Sequence, residues 1–117
     1  MDKIDSKEIE RFLHGQVECW NSSDREGFFD YYRIVSPNGL DIEYVGRPVM
    51  DGFQVLEGMW EQQNSKFYVE VVLSIIAGNE VACHHKNVMR DGSGLIETIE
   101  LYKFVEGKTT VRYFIKN

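Results

Sequence analysis

Apolar residues at Ile9, Phe12, Leu13, Val17 and Trp20 recur at three- and four-residue spacing, which predicts an amphipathic helix from Ser6 to Trp20. Asp5 with Glu8 three residues on forms a capping box at its start. The same stripe passes through Gln16, an amide where an apolar core favours Leu. Gln16 is therefore a candidate pocket residue, the plain alternative being a stripe-edge side chain that reaches water. Ser23-Asp24-Arg25-Glu26 is a second capping box and opens a short helix through Tyr32. Ser36-Pro37-Asn38-Gly39 forces a turn, Leu40 to Val45 reads as a strand, and Gly46-Arg47-Pro48 ends it. Asp51 with Gln54 caps a third helix carrying Val55, Leu56, Met59 and Trp60.

The pattern changes at Lys66. Phe67 to Ile76, Glu80 to Arg90, Leu95 to Phe104 and Thr109 to Ile115 are rich in strand-forming residues and separated by short glycine-containing turns. Turns this short predict antiparallel hairpins, and three helices followed by a meander predict a segregated α+β arrangement. Simple alternation places Phe67, Val69, Val71, Leu73 and Ile75 on one face of the first long strand. In the third, Ile99 and Leu101 oppose Tyr102 and Phe104. Both faces of the sheet therefore carry apolar residues. Helices cover one, and a second copy of the chain is the economical cover for the other.

A chain of 117 residues, 43% hydrophobic, suffices for one core, so residues 1–117 are expected to form one domain. The sequence has no run of about 18 apolar residues and no apolar segment near Met1, which predicts a cytoplasmic protein without a membrane partner. A net charge of −6, spread along the chain, disfavours nucleic acid, which needs clustered Lys and Arg. Cys19 and Cys83 lie in no metal-binding spacing and read as buried free thiols. No metal or cofactor is expected.

Two carboxylates interrupt strand-like sequence: Glu43 in Leu40-Asp41-Ile42-Glu43-Tyr44 and Glu100 in Ile99-Glu100-Leu101-Tyr102. Facing inward, their pKa values would rise toward those of a working general acid or base; facing outward, they are ordinary strand residues, with Lys86 or Lys103 as partners for Glu100. His84 and His85 are adjacent and so point to opposite faces. Asp91-Gly92 favours a two-residue turn, and any even-length loop puts His85 on the face of Glu100, whereas a three-residue loop would choose His84. His85 is therefore the preferred acid, base or carbonyl donor. Trp20, Tyr32, Trp60 and Tyr102 are candidate walls for a small hydrophobic ligand, with core packing as the alternative.

A helix ending Cys19-Trp20-Asn21-Ser22-Ser23-Asp24, a short aromatic helix, a strand, Gly52 opening a third helix and a long meander resemble the nuclear transport factor 2-like superfamily over nearly the whole chain. Within it, the pattern is similar to ketosteroid isomerase and the SnoaL-like polyketide cyclases. The resemblance implies a cone-shaped α+β barrel in which three N-terminal helices pack on a curved antiparallel sheet around an apolar pocket, with dimers formed through the sheet. Matching the isomerase pattern places the base at Glu43 and the protonated acid at Glu100. The helix-one tyrosine falls at Gln16, a departure that replaces a phenol by a weaker donor.

Three functions follow. The first is acid–base catalysis on a small hydrophobic substrate, by proton transfer alpha to a carbonyl. The second is a noncatalytic ligand-binding or dimerising module. The third is hydrolysis similar to that of limonene epoxide hydrolase, which needs an Asp-Arg-Asp set that Asp41 and Arg47 match poorly in spacing.

Overall fold

The computed structural model describes residues 3–116. Its elements run α1 (Ser6–Asn21), α2 (Arg25–Val35), β1 (Gly39–Tyr44), β2 (Met50–Asp51), α3 (Gly52–Gln63), β3 (Phe67–Ala77), β4 (Glu80–Met89), β5 (Leu95–Val105) and β6 (Lys108–Ile115). Each helix begins where a short acidic side chain meets a free backbone N–H. Asp5 accepts from Glu8 N at 2.8 Å, and Asp51 accepts from Gln54 N at 3.1 Å, as the capping patterns predict. The second cap is one residue later than expected. Asp24, not Ser23, accepts from Gly27 N at 3.0 Å, while Ser23 takes a left-handed φ of 60° and uses its hydroxyl on Asn64.

The buried stripe of α1 comprises Ile9, Phe12, Leu13, Gly15, Gln16 and Trp20. Gly15 is a contact requirement, because a Cβ there would overlap the Tyr31 ring of α2. Phe12 is the hub of the core. Its ring meets Tyr32 edge-on at 4.9 Å and Tyr102 at 5.7 Å. Truncating an aromatic so placed typically costs about 3–5 kcal/mol.

The six strands form one open, curved sheet in the order β2-β1-β6-β5-β4-β3. It is a mixed sheet. β3 through β6 form the expected antiparallel meander, but β1 runs parallel to β6, from Gly39 beside Lys108 to Tyr44 beside Tyr113. The two-residue β2 was not legible in the sequence; it pairs Met50 with Ile42 at the sheet edge. The α+β architecture stands as expected, with the helices inside the curve.

One expectation about β3 is corrected. Val71 pairs with His85 and Leu73 with His84, so Val72 is an extra residue in the strand. The bulge reverses which face the following residues present. Phe67, Val69 and Val71 therefore share the inner face, whereas Leu73 and Ile75 point outward and are more than half exposed. Ile99 and Phe114 join them on the convex face.

The C-terminus of α1 is tied to β3. Trp20 Nε1 donates to Phe67 O at 3.1 Å, and the Asn21 amide both donates to Val69 O at 2.9 Å and accepts from Val69 N at 2.7 Å. These bonds fix the end of α1 against β3, and a cavity lies between the helices and the sheet's inner face.

Candidate functional site

The cavity has a volume of about 190 Å³. Gln16, Trp20, Tyr32 and Met59 form its helical wall, and Tyr44, His85, Thr98, Glu100 and Tyr113 face them from the sheet. Ile96 and Ile115, both substantially exposed, are also on its wall. Most of the lining is apolar or aromatic, with convergent polar groups at one place, which is the usual build of a small-molecule site.

That polar centre is the His85–Glu100 pair. Cys83 sits opposite Glu100 and Thr98 opposite His85 across the β4–β5 ladder, which puts both members on the inner face. His85 Nδ1 lies 3.0 Å from Glu100 Oε2, and both side chains are under a tenth exposed. The turn that sets this parity is looser than a two-residue hairpin. Val88 pairs with Leu95, the register an Asp91-Gly92 turn would give, but the ladder opens before reaching it. His85 is thus the inward histidine, as expected, and His84 contacts Glu97 on the convex face at 2.9 Å.

The surroundings of Glu100 oppose the neutral donor that the isomerase pattern implies. Burial alone drives its carboxyl upward, but the His85 charge and hydrogen bonds from His85, Tyr102 and Thr98 outweigh burial and hold it below the ordinary glutamate value. The Tyr102 hydroxyl donates to Oε1 at 2.6 Å, and the Thr98 hydroxyl donates to Oε2 at 3.1 Å. Burial pushes the His85 imidazole down, yet the adjoining Glu100 charge and hydrogen bonding to Cys83 and Glu100 carry it up to about 10. Both directions favour an imidazolium beside a carboxylate. Burial, with the Glu100 charge adding to it, raises the Tyr32, Tyr44, Tyr102 and Tyr113 hydroxyls, so all four are neutral at physiological pH.

Other expected site residues divide. Gln16, Trp20 and Tyr32 line the cavity. Tyr102 does not line it but anchors Glu100 from behind, and Trp60 packs on Trp20 and Phe28, both at 5.2 Å, as part of the aromatic core. Glu43 is the clear correction: it points to the convex face and accepts from Arg112 Nε at 3.2 Å. Leu40, Ile42 and Tyr44 take the inner positions of β1, and alternation leaves Glu43 none. Asp41 shares that outer face, paired with Lys108 at 3.0 Å, so the hydrolase-type set is not assembled in the cavity. Tyr113 and Asn87 are cavity residues that sequence reasoning missed. Both become visible only once the strand register is known.

Among the described residues no group of three or more His, Cys, Asp or Glu side chains gathers as a metal site, and no helix is long and apolar enough to cross a membrane.

No family model and no curated protein matches the chain. Solved structures do. It is similar to a protein from Jannaschia sp. CCS1 provisionally assigned as a SnoaL-like polyketide cyclase, at 18% identity and a TM-score of 0.71 over 99% of this chain and 90% of that one. A protein from Kribbella flavida provisionally assigned as a ketosteroid isomerase matches at 12% identity and a TM-score of 0.74, covering 95% of this chain and 79% of that one. A nuclear transport factor 2-like protein of unknown function from Cytophaga hutchinsonii matches at 13% identity and 0.68, over 92% and 88% of the two chains. Likeness at these identities carries the architecture and not the reaction. The chain has the nuclear transport factor 2-like fold, in the form seen in SnoaL-like and ketosteroid isomerase-like structures.

Proposed function

We propose that the cavity takes a small, neutral, mainly apolar molecule bearing a carbonyl group, and that the His85–Glu100 pair moves a proton alpha to that carbonyl. The observation that carries this reading is the pair itself, buried on the cavity wall with its members 3.0 Å apart. Its two charges cancel, and the rest of the lining is uncharged, which favours a neutral ligand over an acid or an amine. The Glu100 carboxylate accepts the alpha proton while the His85 imidazolium donates one to the carbonyl oxygen, giving an enol. His85 keeps its Nδ1 hydrogen against Glu100 throughout and gives up the one on its other ring nitrogen. In a conjugated enol the Glu100 carboxyl then returns its proton to a different carbon while the enol hydroxyl gives its proton back to that bare imidazole nitrogen, which completes an isomerisation and restores the pair.

The test is deuterium exchange into small cyclic ketones followed by NMR. The native protein is expected to exceed buffer, and E100Q to lose about 100-fold or more of that rate. Equal exchange by native and E100Q would end the proposal. Noncatalytic binding is the second reading, favoured by the outward turn of Glu43 and by an amide at Gln16. Ketones that quench Trp20 fluorescence without exchanging would select it.

We also infer a homodimer through the convex face, where Leu73, Ile75, Ile99 and Phe114 are exposed in the single chain. L73E/I75K is expected to lower the sedimenting mass to that of one chain; an unchanged mass would oppose this interface.

A further inference from the structure

A chain of hydrogen bonds runs along the cavity wall to Glu100, and chemistry fixes its direction. Asn87 Nδ2 lies 3.0 Å from Ile96 O and 3.1 Å from Thr98 Oγ1. A backbone carbonyl can only accept, so the side-chain amide must present its NH₂ group there and donates to both oxygens. Thr98 Oγ1 therefore accepts from Asn87, and its single hydrogen goes to its other near neighbour, Glu100 Oε2 at 3.1 Å. That oxygen also faces His85 Nδ1. An oxygen already receiving the threonine hydrogen is a good carboxylate acceptor and a poor carboxylic hydroxyl, so the proton between Glu100 and His85 belongs on the nitrogen.

We propose that Asn87 and Thr98 are positioning residues, a relay that decides which member of the His85–Glu100 pair presents a proton to the cavity. Asn87 acts only through Thr98. Alternation along β5 puts Ile96, Thr98 and Glu100 on one face, and the pairing of Asn87 with Ile96 brings the amide to the start of that row. The other titratable groups around the pair are Cys83 on β4, Tyr102 on β5, Tyr113 on β6, Tyr44 on β1 and Tyr32 on α2. Burial pushes all four of those tyrosines upward, so none competes for the proton at neutral pH.

This inference deepens the proton-transfer reading of the same cavity, but its test needs no ligand, so a protein that fails to exchange ketone protons can still pass it. The experiment is NMR titration of the His85 imidazole, assigned by loss of its signals in H85Q, in native protein, T98V, N87L, N87L/T98V and T98S. T98V is expected to lower the His85 midpoint by about one unit, the order of one charge-assisted hydrogen bond. N87L should lower it by less in the same direction, the double variant should fall no further than T98V, and T98S should restore the native midpoint. Should N87L not fold, N87S, too short to span both acceptors, reads the same way. A native midpoint in the Asn87 variants, or effects of the two residues that simply add, would overturn the relay.

Discussion

His84 and His85 are neighbours on β4, and each reaches a glutamate two residues from its cross-strand partner on β5, yet the two pairs occupy different media. The contacts are nearly equal in length, 2.9 Å for His84–Glu97 and 3.0 Å for His85–Glu100. Exposure separates them: 31% and 27% for the first pair, 4% and 8% for the second. On the convex face water screens the charges, and Lys116 approaches Glu97 as well, at 3.4 Å. Beside the cavity the partners depend on each other, because neither charge is stable there alone. One step along a strand thus converts an ordinary surface contact into a proton-holding centre.

The largest expected break in this comparison is stability after removal of one partner. H85L leaves Glu100 buried without its cation and should lower the unfolding free energy by roughly 3–5 kcal/mol, while H84L should cost a small fraction of that in the same urea titration. Similar losses for both would show that burial does not distinguish the pairs.

The next effect is on pH dependence. The folded imidazole of His85 holds its proton more tightly than the unfolded one, so its contribution is complete below about pH 6.5 and is lost between 6.5 and about 10. Glu100 has the opposite sign: its contribution is present above about pH 4.5 and disappears as the pH falls through its lowered folded value. Thermal melts should show a maximum between about 4.5 and 6.5 and a sloping alkaline limb. H84L should keep that limb, and H85L should flatten it. A limb that persists in H85L assigns the alkaline loss to other groups.

The smallest effect is expected at the other outward pair. E43Q should destabilise by less than about 1 kcal/mol and leave ketone exchange unaltered. A large loss of exchange would return Glu43 to the reaction.

The sequence carried the first and third helix caps, the bounds of the five longer strands to within about a residue and the inward direction of His85, because these rest on local spacing. Glu43 is instructive in the other direction. The alternation Leu40, Ile42, Tyr44 against Asp41, Glu43 already turned that carboxylate outward, and the family resemblance overrode a local pattern that was right. The hydrogen-bond donors around Glu100 were half legible: Thr98 and Tyr102 stand two residues to either side, on the same face by strand periodicity. Asn87, Tyr113 and the parallel β1–β6 pairing needed nonlocal register. The bulge at Val72 left no mark in a run of uniformly apolar residues.

That bulge also bears on how the chain behaves in company. β3 is an edge strand, and Val71-Val72-Leu73-Ser74-Ile75-Ile76 is an uncharged, proline-free stretch of the kind that seeds cross-β stacking. Val72 breaks the even spacing a stacking strand would need, and a few residues earlier the Asn21 amide occupies both backbone groups of Val69. The segment with the greatest appetite for self-templated aggregation is guarded by one surplus residue and one side-chain amide, neither of which lines the cavity.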